Sequence, residues 1–450
     1  MKLIKRYFLL PLAAAQLFAV VLAPPIAAQE EPAFTLEECV SYAEAHSTRV
    51  QRSAADLEVS EANYRDAVGA LLPNLSAGAS AYVNFGRGID PSTNTYTNIN
   101  SFRNSYNIQG SLLLFDGLSS LYNLRGRRSE ELSAGEALRK TTREARMSAT
   151  EAYYNLLYAK ELHRLSEENL HNSVELAKQT ERMYELGMKA RGDVAEARAT
   201  LSKDRQTRIE QAKNYEIALL QLKAVMNYPI DSLLVIADSL TYGEVSPTLL
   251  LTDEVYRSAL LTLPEALISD HKLETGRNDY LARKGAFAPR ISLFAGFDTG
   301  FSFFMDGTPY EPFAEQLRNR RGSYVGVSLT IDLFAGLRKV NGLKRAGAQY
   351  FARKLQHEED RRALYKSIRE AILNHNAAVE AYRAAAENAE HLKAVYEAAL
   401  QNYKAGHASS LDLSISGARY KEARAEAAHA YAVCLLRREQ VNYYAEQEQD

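Results

Sequence analysis

Tyr184-Glu185-Leu186-Gly187-Met188-Lys189-Ala190-Arg191-Gly192-Asp193-Val194 and Tyr403-Lys404-Ala405-Gly406-His407-Ala408-Ser409-Ser410-Leu411-Asp412-Leu413 read as two versions of one break in a long helix. In each, Gly follows Tyr by three residues and Asp follows that Gly by six. The versions are 219 residues apart, and the same offset carries Leu114-Phe115-Asp116-Gly117-Leu118 onto Leu333-Phe334-Ala335-Gly336-Leu337. Upstream the offset is 216, relating Glu38 to Glu254, Gly69 to Gly285 and Pro73 to Pro289. Matched spacing of this kind marks an internal duplication. The three extra residues fall between Pro289 and Phe334, where an exposed loop is expected to absorb them.

That stretch alternates. Val325, Val327, Leu329, Ile331 and Leu333 are apolar, while Tyr324, Gly326, Ser328, Thr330 and Asp332 are polar or small. Ile291 to Asp298 follows the same rule, and Leu75 to Phe85 and Tyr106 to Phe115 repeat it more weakly. A period of two predicts strands, four in all. Their length matches the ~9–11 tilted residues of a membrane barrel strand. Their flanks are rich in aromatics (Phe102, Tyr106, Phe115, Phe301, Phe303, Phe304, Tyr324, Phe334), as at a membrane interface. Gly86 to Asn94 and Asp306 to Arg321 are expected to be outward loops. Four strands cannot close a barrel, and an open edge in lipid leaves unpaired backbone groups costing several kcal/mol each. Several chains must therefore share one barrel; three would give twelve strands, an even count.

The remainder predicts helix. No Pro lies between Pro91 and Pro229 or after Pro312. Residues 119–186 and 338–405 each give a helix of roughly 100 Å. Leu121, Leu124, Leu132, Leu138, Leu156, Leu162, Leu165 and Leu170 recur at threes and fours with many Ala between, a narrow seam suited to coiled-coil packing. Shorter segments flank each long helix. One opens at the capping pair Thr35 and Glu38 and runs to about Leu72; its counterpart runs from Thr252 to Gly285. The others return after the breaks, over 193–226 and 412–447. Stacked end to end, two short segments match one long helix, so each half makes a two-stranded column. The expected organisation is a first repeat over 29–230 with strands within 75–115, a connector over 231–250, and a second repeat over 251–450 with strands within 291–334.

Lys2, Lys5 and Arg6 precede an apolar run from Tyr7 to Val21, and Ile26-Ala27-Ala28 precedes Gln29, so residues 1–28 read as a secretory leader. Beyond it no run reaches the ~18–20 apolar residues of a spanning helix. The chain has 54 Lys and Arg against 56 Asp and Glu, and three of the cations lie in that leader. A mildly acidic remainder argues against a nucleic-acid binder. Cys39 and Cys434 are the two cysteines; an exported compartment permits a disulfide between them, and two separate buried thiols are the alternative.

Taken together, the duplicated Tyr-x-x-Gly-x5-Asp break, the Leu-Phe-x-Gly-Leu strand-to-helix junction and the Thr-Leu-Glu-Glu start make the chain similar, over nearly all its mature length, to the outer-membrane efflux family of TolC-like channels. The resemblance implies a fold that mixes an all-α coiled coil with a membrane β-barrel. It implies a homotrimer with a twelve-stranded barrel in outer-membrane lipid and an α-helical tunnel in the periplasm. A periplasmic adaptor and an inner-membrane pump are the implied partners, with no cofactor.

On that reading the breaks form the tunnel's inner tip. Asp193 and Asp412 open the returning helices, and Ser409 with Asp412 is spaced as a capping box. Repeated around the symmetry axis, one Asp per chain also becomes an acidic ring that favours cations. In the family, acidic residues of the second break form such a constriction. Asp412 matches the first position, and Ile415 stands at the second. The family's latch joins a Tyr and an Arg of the second break to the Asp of the first. Tyr403 and Asp193 match, while the Arg position holds Ala408 with His407 beside it. Leu186, Gly187, Val194, Gly406 and Leu413 are the candidate adaptor-docking residues. Gly187 and Gly406 end helices, as residues free to take positive φ do.

Enzyme readings fail, since there is no phosphate-binding Gly-Lys-Ser/Thr loop, no His-Glu-x-x-His and no Gly-x-Ser-x-Gly. No metal ligand set stands out. The expected function is a passive exit duct for efflux or type I-like secretion; a barrel-anchored structural stalk is the alternative. A general porin does not need ~100 Å helices.

Overall fold

The computed structural model describes residues 33–89, 94–98, 100–307 and 309–445. The leader, the end of the chain and part of the first outward loop lie outside that set. The first repeat runs α1 (Leu36–His46), α2 (Thr48–Gly69), β1 (Asn74–Asn84), the short pair β2 (Arg87–Ile89) and β3 (Tyr96–Asn98), β4 (Ser101–Phe115), α3 (Ser119–Glu185) and α4 (Arg191–Met226). The second runs α5 (Thr252–Thr262), α6 (Pro264–Gly285), β5 (Arg290–Phe304), α7 (Phe313–Asn319), β6 (Gly322–Thr330), α8 (Arg338–Lys404) and α9 (Ser410–Ala445). The long helices have 67 residues each and the returning helices 36 each.

Two expected single helices are each broken. Ser47 ends α1 and caps α2, its Oγ accepting from the Val50 N–H at 3.5 Å. Leu263 takes an extended conformation (φ −77°, ψ 131°) because Pro264, the first residue of α6, disfavours the helical region for its predecessor. Leu263 is fully buried at that corner. Upstream, the Thr35 hydroxyl accepts from the Glu38 N–H and the Glu38 carboxylate accepts from the Thr35 N–H, as the sequence predicts.

The four long strands form one antiparallel sheet in the order β1-β4-β5-β6, leaving β1 and β6 as free edges. Directly paired residues share a face. One face carries Leu75, Val83, Ile108, Leu112, Ile291, Leu293, Phe297, Val325, Val327 and Leu329; the other carries Ser76, Ser80, Arg103, Ser105, Asn107, Gln109, Ser292, Asp298 and Ser328. An apolar outside and a polar lumen are the pattern of a membrane barrel wall. Phe304 and Tyr324, expected among the interfacial aromatics, instead lie on the polar face. There the Tyr324 ring covers Gly296 and the Phe294 ring covers Gly326, so the glycines make room for flat-lying rings. The loop after β5 folds back on the sheet: Phe313 and Tyr310 pack on Phe301 at 5.2 and 5.6 Å between ring centroids.

Below the sheet, α1, α2 and α4 stack along α3, while α5, α6 and α9 stack along α8. In addition α6 packs against α3, which joins the two columns. The largest apolar cluster sits partway along, where Cys39 and Ala43 of α1, Tyr153 and Leu156 of α3, Leu222 and Met226 of α4, and Tyr431 of α9 meet. The connector is built into the columns: Leu234, Ile236 and Leu240 enter this core and Ile236 forms a parallel bridge with Phe34. Cys39 and Cys434 are separate buried free thiols in different clusters, and burial pushes the Cys39 thiol up to about 12. Outside these clusters many buried helix positions hold Ala, as at Ala145, Ala177, Ala197, Ala346 and Ala423, which permits close approach. Their outer faces carry ion pairs three or four residues apart, such as Arg128–Glu131 and Arg362–Glu358, worth ~0.2–0.5 kcal/mol each.

Candidate functional site

Both breaks close with the same backbone geometry. At the first, the Gly187 N–H donates to Tyr184 O (2.9 Å) and the Met188 N–H to Met183 O (2.8 Å), with Gly187 at φ +76°. At the second, the Gly406 N–H donates to Tyr403 O (3.1 Å) and the His407 N–H to Asn402 O (2.9 Å), with Gly406 at φ +81°. This paired bonding needs a left-handed residue after the cap, which explains both glycines.

The returning helices are capped by the two aspartates. The Asp412 carboxylate accepts from the Ser409 hydroxyl (2.7 Å), while the Asp412 N–H donates to Ser409 Oγ (3.1 Å). Asp193 accepts from the Ala190 N–H at 2.9 Å. The Ser410 hydroxyl, and then that N–H, hold the Asp193 carboxyl below the usual carboxylate range. Because Ser410 belongs to the other break, the two turns are stitched together there.

Tyr403 also ties the turns, though by other partners than expected. Its hydroxyl lies 2.9 Å from Thr180 Oγ1 in a buried contact, not on Asp193. The cation facing its ring is Lys189, 3.9 Å from the centroid, from the first break. His407 is exposed, and Ala408 is half-buried. Above the tip, two further bridges cross between columns: Lys421–Asp204 at 2.7 Å, and Arg424 holding both oxygens of Glu168 at 2.9 and 3.0 Å. Arg424 in turn holds the Glu168 carboxyl below its ordinary value. These bridges border a cleft of about 800 Å³ between α3/α4 and α8/α9.

The docking candidates divide. Leu186 is 75 % exposed and Gly187 and Gly406 are exposed, but Val194 is half-buried and Leu413 is buried. Leu413 faces inward because it follows the cap by one turn, on the side of α9 that meets the cleft. Ile415 and Asp412 are exposed. Thr180, Lys189, Ser410 and the Glu168–Arg424 pair were not singled out by sequence. Their partners lie more than two hundred residues away, and no local pattern announces them. Among the described residues no group of three or more His, Cys, Asp or Glu could hold a metal, and no helix is long and apolar enough to cross a membrane.

A sheet with one apolar face, mounted on ~100 Å columns that end in capped turns, defines a barrel-and-tunnel channel protein. The chain belongs to the outer membrane efflux protein family, which it matches over residues 39–228 and 255–441. It is 23 % identical over 387 residues to the outer membrane efflux protein BepC of Brucella suis, spanning 84 % of this chain and 78 % of BepC. Its fold matches that of the Campylobacter jejuni CmeC outer membrane channel with a TM-score of 0.79 at 18 % identity, covering 92 % of this chain and 87 % of CmeC. The Vibrio cholerae outer membrane protein VceC matches at 0.77 and 14 %, covering 91 % and 95 %. The chain is accordingly an outer-membrane efflux duct and not an enzyme, which decides between the duct and the stalk.

Proposed function

We propose that three copies of this chain close one twelve-stranded barrel and one tunnel, and that the tip docks a periplasmic adaptor coupled to an inner-membrane pump. The observation that supports a closed ring of copies is an unmatched half-contact. Gly117, at the β4–α3 junction, packs on Gly285 at the end of α6 so tightly that a Cβ on Gly117 would lie 2.1 Å from the Gly285 carbonyl oxygen. The repeat-related residues are Gly336 and Gly69, and neither has any neighbour within 4 Å of a built Cβ. Likewise α3 is flanked by both α2 and α6, whereas of these two α8 meets only α6. Rotating the chain so that Gly336 meets Gly69 of a neighbour supplies both absences and pairs β6 with the neighbouring β1. Repeating the operation closes a ring, as head-to-tail contacts must if they are not to run on as fibres.

Asp193, Asp412, Tyr403 and Ile415 then line or brace the gate, and Leu186 and the backbone beside Gly187 and Gly406 meet the adaptor. A Gly69→Cys, Arg338→Cys double variant tests the ring, because Ser119, the repeat counterpart of Arg338, has its Oγ 2.8 Å from a Cβ built on Gly285. Oxidation should yield a three-chain species on a denaturing gel that neither single variant forms. A monomer band alone, from protein that does not conduct in a planar bilayer, would sink the reading. Site-directed cross-linking from Leu186 in whole cells should capture the adaptor, and capture from Leu413 should be absent.

A further inference from the structure

The hairpin end of the sheet brings two arginines to its polar face. Arg103 on β4 stands directly across from Tyr82 on β1 and Ser302 on β5, which places it on the polar face. Its Nε is buried without a hydrogen-bond partner, and it enters none of the ion pairs among the described residues. From the other side Arg320 donates through Nη1 to Ser302 Oγ at 2.6 Å. Arg320 thus meets the serine that stands across from Arg103 in the β4–β5 register.

The position of Arg320 is built rather than incidental. β6 stops pairing at Asp298, so β5 beyond that point lacks a strand on one side. α7 fills the gap. Gln316, 1 % exposed, accepts from the Ser302 N–H at 3.0 Å and donates to Glu311 O at 2.8 Å. The Thr299 hydroxyl donates to Leu317 O at 2.7 Å. Asp298 is the one acid on the polar face of the four strands, four residues along β5 from Ser302. At ~3.3 Å per residue that is about 13 Å away, beyond the ~8 Å screening length of physiological salt. A partly buried guanidinium with an unpartnered Nε–H is costly unless an anion satisfies it, and its planar fork suits oxyanions best.

We propose that Arg103 and Arg320, repeated in each subunit, form a cationic collar inside the outer mouth of the barrel that binds multivalent phosphate-type oxyanions. The collar rests on the shared-barrel reading, because only closure brings the copies around one axis. Its chemistry is met by free oligophosphates outside the cell and by phosphates of outer-leaflet lipid.

The test is single-channel block by inorganic tripolyphosphate in planar bilayers. Added on the barrel side, it should block at a concentration about tenfold or more below that needed on the helical side, the scale of one charged hydrogen bond. Arg103→Gln with Arg320→Gln should conduct and lose this sidedness, while Arg103→Lys should keep most of it. Lipid A in the barrel-side leaflet distinguishes the sources: weaker tripolyphosphate block means lipid phosphates already occupy the collar, and unchanged block means the ligand is the free anion. Conducting channels that block equally from both sides, or a double glutamine variant that blocks like the parent, overturn the collar alone. A protein that never conducts overturns the shared barrel and the collar with it.

Discussion

Tyr403 separates what a single residue holds from what its neighbours hold. In Tyr403→Phe the ring keeps its burial and its contact with Lys189, and Thr180 keeps its bond to Leu176 O at 2.8 Å. Only the hydroxyl pair between the two breaks is lost, a change of about 1 kcal/mol. We expect shorter closed times in bilayer recordings and little change in thermal stability; closed times equal to the parent's would show that this contact does not restrain the tip. Asp412 is the complementary case, a cap that we propose also supplies the ring's charge. Asp412→Asn retains an oxygen for the Ser409 N–H and loses about 0.3–1 kcal/mol of charge–dipole attraction. Reversal potentials in a salt gradient should show weakened cation selectivity, and unchanged potentials would leave capping as its sole role. The Ser409–Asp412 box was legible because both partners lie within one turn. The Thr180–Tyr403 and Asp193–Ser410 contacts were not, since each depends on how two remote turns are set side by side.

At the scale of elements, alternation was readable wherever one strand face meets lipid, and least readable in β1, where Ala77, Ala79 and Ala81 stand opposite Gly78 and Ser80. The face assignment has a direct test on β6. Val327→Arg puts a charge on the lipid side, at a cost of roughly 2–4 kcal/mol near the bilayer midplane, whereas Ser328→Arg points into water. The first should abolish heat-modifiable oligomer in outer-membrane fractions, and the second should assemble and conduct cations less well. Equal assembly of both would mean the faces are reversed or the sheet is not in lipid. The breaks at Ser47 and Leu263 teach unequal lessons. Pro264 announces the second, because the residue before a proline leaves the helical region. Ser47 does not announce the first, as serine is tolerated within helices and becomes a cap only when packing turns the chain. The short α7 was hidden for a similar reason, being ordered by Gln316 and Phe313 against β5 rather than by its own propensity.

The whole molecule is two half-units whose mutual contacts are polar near the tip and apolar further up. The cluster around Tyr153 and Leu222 fixes the columns there, while Glu168–Arg424 and Lys421–Asp204 hold them together below. Outward movement of α8 and α9 at the tip therefore requires breaking ionic contacts but not emptying the core. Acid should do this. Arg424 lowers the folded-state pKa of Glu168 below its ordinary value, so the pair contributes fully above that ordinary value and is lost as pH falls through the lowered one. Conductance should accordingly rise as pH falls from the ordinary carboxylate range through the lowered value, and remain flat above that range. Glu168→Gln removes the charge at every pH, so its neutral-pH conductance should match that of the parent in acid and vary less on further acidification. High salt should act in the same direction on the parent, because Glu168 is partly exposed and its attraction is screened. A Glu168→Gln channel with the parent's neutral conductance and the parent's acid response would place the pH sensor elsewhere, with Asp193 and its Ser410 contact the next group to alter.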